Sequence, residues 1–186
     1  QEPCPLPFAR YIMFVGQQLD HKNIPRLAEA HQRLLTTNPD LGLVLAGRLT
    51  PEAKAHKQRF EELGYKNILF TDFITDEQLN WLYANSRVYV FASLMEGFGL
   101  PGLEAMEHGA PVASSNTTSL PEVLGDAAQY FDPYDVDDMA GTIQRYLDNE
   151  NLRTQAIEKG YKQVRLFSWE RMAQQTYEIY KDVLEK

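Results

Sequence analysis

Apolar and polar positions along this chain follow two alternating rhythms. Short apolar runs of strand length stand at Tyr11–Val15, Leu43–Ala46, Ile68–Thr71, Val88–Ala92, Val112–Ser115 and Gln129–Phe131. Between them, residues 25–36, 51–63, 76–85, 101–108 and 120–124 carry helical spacing. Thr75 and Gln78 have capping-box spacing for the third of these, and Gly64 and Gly109 stand where helices should stop. Strands that are apolar throughout belong to sheets covered on both faces, and strand–helix alternation is the signature of parallel pairing. The pattern therefore predicts an α/β fold: a doubly wound, Rossmann-like parallel sheet of about six strands, helices on both faces, and any ligand off the carboxyl ends of the strands.

Beyond Pro133 the rhythm becomes purely helical. Val136, Met139, Ile143 and Leu147 mark one amphipathic helix, and Leu152 to Phe167 a second. Ser168 is placed to cap a last helix whose stripe includes Trp169, Met172, Tyr177, Tyr180 and Val183. Burial of that stripe against the chain's own sheet is the expectation, with packing on an absent domain as the other reading. Residues 1–10 carry three prolines and read as a linker or lead-in arm, leaving residues 11–186 as one domain.

A formal charge of −8 argues against nucleic acid as a partner, because backbone phosphates select basic surfaces. Cys4 is the only cysteine, so no internal disulfide forms and a reducing, cytoplasmic setting is expected. No apolar stretch approaches the roughly 20 residues that span a bilayer. No leader is visible, and a chain opening on Gln1 reads as a piece of a longer one.

The richest chemistry lies between Glu96 and Glu104. The run Glu96-Gly97-Phe98-Gly99-Leu100-Pro101 leaves an apolar strand and enters a helix with proline in its first turn. Amides of Phe98, Gly99 and Leu100 at such a helix start suit an anion, and the two carboxylates suit hydroxyls. A phosphorylated sugar or a nucleotide is the simplest complement. The first strand offers a second candidate: Gly16 lets the backbone approach a ligand, and Lys22 brings a compact cation to the same edge.

Other patterns carry less. Gly97, Gly99 and Gly102 match the dinucleotide fingerprint G-x-G-x-x-G, but the next strand ends in Ser114-Ser115-Asn116 without the acidic residue that holds a ribose. Asp135 and Asp137 imitate a metal-binding pair but fit a helix cap. His21, His31, His56 and His108 show no metal spacing, and His108 suits a helix end. No metal and no resident cofactor is expected.

Together these stretches resemble the family-4 retaining glycosyltransferases, specifically their C-terminal, donor-binding domain. The family's paired glutamates match Glu96 and Glu104, with seven residues between them. Its Gly…Lys-Asn segment matches Gly16 to Asn23, and its Glu-Ala-Met…Gly-x-Pro-Val run matches Glu104 to Val112. Leu120 to Val123, Phe73 to Leu79, Phe131-Asp132-Pro133 and Phe167-Ser168-Trp169 follow in the family's order, so the likeness covers about residues 11 to 185.

The resemblance implies two facing doubly wound domains with the active site between them, this chain being one. It implies a nucleotide-diphosphate sugar, UDP- or GDP-linked, as substrate, without a metal. It gives Glu104 the ribose hydroxyls and Glu96 the sugar hydroxyls. Lys22 and the amides from Phe98 to Leu100 receive the phosphates, and Phe73 and Ile74 lie near the base. Gly16, Gly97 and Gly99 shape the loops. Where many members carry arginine after the first glycine this chain has Gln17, which leaves His21 or Arg48 to supply the cation. An N-terminal acceptor-binding domain is implied outside the chain, and peripheral membrane attachment of a full-length enzyme stays open. Hexosyl transfer leads; a phosphorylase or sugar-nucleotide epimerase of the same architecture, a non-catalytic nucleotide-binding module and, more distantly, a dinucleotide oxidoreductase are the alternatives.

Overall fold

The computed structural model describes residues 2–185; Gln1 of the expected arm and Lys186 at the expected domain end lie outside the described residues. Six strands form one parallel sheet: β1 (Arg10–Val15), β2 (Leu41–Ala46), β3 (Ile68–Phe70), β4 (Val88–Phe91), β5 (Val112–Ser115) and β6 (Ala128–Phe131). Their order is β3-β2-β1-β4-β5-β6. Helices α1 (Ile24–Leu34), α2 (Pro51–Glu62), α3 (Asp76–Asn85), α4 (Leu100–Glu107) and α5 (Leu120–Leu124) connect them. Three more follow: α6 (Val136–Asp148), α7 (Glu150–Val164) and α8 (Trp169–Leu184).

Period-two alternation along β1 builds both halves of the core. Ile12 and Phe14 join Leu43, Val88 and Val90 under Leu27 of α1 and Met139 and Ile143 of α6. Tyr11 and Met13 face the other way, with Val44, Tyr89 and Phe91 under Leu82 of α3, Leu103 and Met106 of α4 and Val123 of α5. Met13 lies opposite Val44 on one side and Tyr89 on the other, so β1 and β4 are direct neighbours. Connections run outward in opposite directions from those two strands. Their carboxyl ends therefore flank the point of reversal, where a doubly wound sheet opens a crevice.

Local signals hold closely. Thr75 and Gln78 exchange both bonds of a capping box at α3, and Asp135 accepts from the amides of Asp137 and Asp138 at the start of α6, which makes it a cap. Gly64 and Gly109 follow the ends of α2 and α4 with φ of +70° and +77°. Residues 2–9 form no helix or strand, yet Cys4 is buried and Leu6 and Phe8 pack against the lower core.

The last helix departs from expectation. Every described residue of α8 is exposed, with Trp169 at 71% and Val183 at 67%, so its aromatic stripe is not covered by the chain's own sheet. The sheet's two faces are already occupied, one by α1 and α6 and the other by α3, α4 and α5.

Candidate functional site at the carboxyl ends of β1 and β4

Beyond β1 the chain turns at Gly16 (φ +136°), passes Gln17 and Gln18, and forms a 3-10 turn over Asp20–Lys22. Asn23 then takes a left-handed conformation (φ 60°), which asparagine tolerates better than most residues. Its buried amide donates to the carbonyls of Ala92 (3.1 Å) and Pro133 (2.8 Å), and its Oδ1 accepts from Arg26 at 3.0 Å. One side chain thus ties the start of α1 to the ends of β4 and β6. The amide of Leu94 donates to the carbonyl of His21 at 2.7 Å, adding a second link between the two turns.

This bracing carries Lys22 to Glu96. Lys22 Nζ donates to Glu96 Oε1 at 2.5 Å, with both side chains largely shielded (18% and 13% exposed). Ser93 Oγ donates to the same oxygen at 2.7 Å. The Glu96 amide donates to Thr118 Oγ1 at 3.1 Å, and Ser119 Oγ donates to the carbonyls of Glu96 (3.0 Å) and Phe98 (3.3 Å). Ser115 and Thr117 hydroxyls both reach the Ser93 carbonyl, at 2.6 and 3.3 Å. The β5–α5 loop therefore clamps the glycine turn with hydroxyls. Thr118 holds its place at φ +52°, a conformation costing a β-branched residue about 1–3 kcal/mol.

Gly99 begins α4 at φ +103°, where a Cβ would stand 2.7 Å from Leu120 Cδ2 and 3.2 Å from Phe91 Cε1. Only glycine fits both the angle and the space. Among the described residues no protein acceptor meets the amides of Phe98, Gly99 and Leu100. These are donors that a helix start leaves unpaired. Phe98 and Leu100 are exposed, and Phe98 meets the Phe167 ring edge-on at 5.6 Å.

Glu104, on the following turns of α4, is exposed and accepts from the Tyr83 hydroxyl at 3.2 Å. Gln17 and Gly97 are exposed, and His21 is half-buried. Arg48 follows Gly47, whose Cβ position lies 2.6 Å from the Gly16 carbonyl oxygen, so the β1 and β2 turns touch. Arg48 is exposed and makes no ion pair among the described residues. Phe73 (70% exposed) and half-buried Ile74 lie in the loop after β3. Asp72 joins that loop to the β2 turn by pairing with Gly47 and accepting from the Leu49 amide at 3.0 Å.

Of the residues singled out from sequence, Lys22 and Glu96 are in direct contact, and the turns bearing Gly16 and Arg48 touch through Gly47. Phe73 and Ile74 follow β3, two strands from β1, and Glu104 stands within α4, where its partner is Tyr83. Sequence reasoning passed over Asn23 as an anchor, Tyr83 as a partner of Glu104, and the Ser93–Ser119 hydroxyls. The run of six polar residues from Ser114 to Ser119 was the available signal for the last. His108, read as a dipole partner, stacks on Tyr83 with centroids 5.9 Å apart.

Comparison with known proteins agrees with this geometry. The chain is 39% identical over 178 residues to the O-antigen chain mannosyltransferase B of Escherichia coli, covering 95% of this chain and 47% of that protein. It is 33% identical over 180 residues to the MMP alpha-(1->4)-mannosyltransferase of Mycolicibacterium hassiacum, covering 94% of this chain and 43% of that one. The chain therefore spans less than half the length of either relative. Among solved structures it superposes on the sucrose-phosphate synthase of Thermosynechococcus elongatus with a TM-score of 0.84 at 26% identity, over 95% of this chain and 46% of that one. It also matches the C-terminal domain of a glycosyl transferase group 1 family protein from Francisella tularensis, with a TM-score of 0.75, 28% identity and 87% coverage of both. The family model for glycosyl transferases group 1 matches residues 8–163, and the chain belongs to that family.

Proposed function

We propose that this chain is the donor-binding half of a retaining glycosyltransferase that moves a hexosyl group from a UDP- or GDP-linked sugar. One observation carries the reading. The Lys22–Glu96 pair bridges the turns after β1 and β4 at the sheet's point of reversal, and Glu96 shares its turn with three amides that meet no protein acceptor among the described residues. Both relatives are mannosyltransferases, which favours mannose as the sugar.

In this reading the amides of Phe98, Gly99 and Leu100 and the Lys22 ammonium receive the diphosphate. As the bond from the sugar's anomeric carbon to the phosphate oxygen breaks, negative charge grows on the leaving diphosphate. Fixed donors aimed there stabilise that charge most where water is excluded. Lys22 keeps two N–H bonds to give beyond the one held by Glu96. Glu96 turns its second oxygen to the sugar hydroxyls, and Glu104 takes the ribose. Arg48, exposed where the β1 and β2 turns meet, replaces the arginine that Gln17 displaces. Phe73 and Ile74 form a wall for the base. The chemistry needs no metal in this scheme, because protein cations and amides carry the leaving charge.

A second, acceptor-binding domain completes the cleft, and the uncovered stripe of α8 supports its presence. Titration of the chain with GDP, UDP, GDP-mannose and UDP-glucose in the presence of a chelator tests the donor half. Binding of a nucleotide sugar is the expected result. Failure of all four overturns the reading. Configuration at the anomeric carbon, read by NMR on the full-length enzyme's product, tests retention.

A further inference from the structure

Tyr83 belongs to α3, outside the loops that form the rim, and the proposed chemistry does not use it. Its ring is 1% exposed, stacked on His108 (5.9 Å, 7° between planes) and edge-on to Tyr89 (5.7 Å). His108 caps the carboxyl end of α4, one turn beyond Glu104, and its amide donates to the Glu104 carbonyl at 3.1 Å. The ring is therefore wedged beneath one face of α4 with its hydroxyl directed to the carboxylate above. Burial, helped by Tyr89 and Glu104, pushes the phenol far above its ordinary range, so it remains a donor throughout the working pH.

Glu104 itself is exposed, and the Tyr83 bond to Oε2 is the one hydrogen bond its carboxylate makes among the described residues. A free glutamate at a surface samples many rotamers. This one is held at Oε2 by the hydroxyl of a buried, stacked ring, which leaves Oε1 open. We propose that Tyr83 is a positioning residue for Glu104, fixing the carboxylate plane so that the site selects ribonucleotides over their 2′-deoxy counterparts. The inference rests on the donor-binding reading. A pinned carboxylate meets a vicinal diol without first losing rotamer freedom, and it can accept from both hydroxyls at once. A 2′-deoxyribose offers only one.

The test is a titration of the chain with GDP and UDP and with 2′-deoxy-GDP and 2′-deoxy-UDP. It compares wild type, Tyr83→Phe, Glu104→Gln and the double variant. Tyr83→Phe keeps the ring and both aromatic contacts, so the fold is retained. The wild type is expected to prefer the ribonucleotide. Tyr83→Phe should weaken ribonucleotide binding roughly three- to tenfold and the deoxy form, which keeps one hydroxyl for Glu104, by less, so that the preference shrinks. Glu104→Gln should remove the preference, and adding Tyr83→Phe to it should change nothing further. A Tyr83→Phe protein that keeps the full preference, or weakens both forms equally, overturns the positioning role; so does a fall in melting temperature with an unchanged ratio. A wild type that binds none of the four nucleotides instead overturns the donor-binding reading itself.

Discussion

Lys22 and Glu96, 74 residues apart in sequence, meet at 2.5 Å where the turns after β1 and β4 converge. Neither turn alone makes a site. The first supplies a cation on a short 3-10 turn, and the second supplies a carboxylate and free amides. Their union depends on β1 and β4 being neighbours in a sheet whose order reverses there.

Replacing Lys22 by methionine removes one charge-assisted donor, worth about 1.5–3 kcal/mol, or roughly 10–100-fold in affinity for GDP or UDP. Nucleoside without phosphate should be unaffected. Calorimetric titration of both ligands distinguishes this from general damage, and equal binding of diphosphate by wild type and variant would remove Lys22 from the proposed role.

Glu96→Gln should act differently. It frees the lysine from its ion pair, so GDP or UDP should bind at least as tightly as to wild type. The sugar-bearing nucleotide should lose its advantage over the bare diphosphate. Parallel titrations with GDP and GDP-mannose, or UDP and UDP-glucose, read that advantage directly.

Gly99→Ala combines a forbidden angle with a collision against Leu120 and Phe91. A loss of about 2–4 kcal/mol in unfolding free energy is expected. Urea denaturation should show a lower midpoint with an unchanged slope.

His31 gives the fold an acid-side limit. It is fully buried, Nε2–H donating to the Leu41 carbonyl at 3.0 Å and Nδ1 accepting from Gln32, so the ring is held neutral. Burial pushes its pKa down from 6.5 to about 4. Because the unfolded chain binds the proton more readily, stability is complete above pH 6.5 and is lost as pH falls toward 4. The loss amounts to about 3 kcal/mol. Melting temperature followed from pH 7 to 4 should fall along this window, and His31→Gln should flatten that part of the curve.

The exposed helix offers a contrast. Tyr180→Asp and Val183→Asp should change the stability of this chain by no more than about 0.5 kcal/mol, since neither side chain is covered. Ile143→Ala, which empties a position fully buried between α6 and the sheet, should cost about 2–5 kcal/mol. Comparable losses in all three would show that α8 is packed.

Much of this was legible in the sequence because it is local. Apolar runs located all six strands, and the Thr75–Gln78 box and the two stop glycines fixed helix ends to within a few residues. Lys22 and Glu96 stood out by the turns that carry them, and the structure brings those two into contact. What was hidden depends on distant partners. An amphipathic stripe such as that of α8 declares that something covers it, but not what, and only the filled faces of the sheet show that the cover is not there. The anchoring role of Asn23 was hidden because its acceptors lie 69 and 110 residues away. Tyr83 carries no signal of its own in the sequence, because its hydroxyl's bond to Glu104 depends on α3 and α4 lying side by side.

Asn23 has one further consequence. With its amide gripping Ala92 and Pro133, Asn23 fixes the stretch bearing Lys22 from within the chain, without help from any ligand. If the proposed donor site holds, accommodation of different sugars or bases falls to apolar side chains of that site without such bracing, of which Phe73 is the most exposed. Evolution of a new donor preference has a natural place to act there, leaving the charged grip untouched.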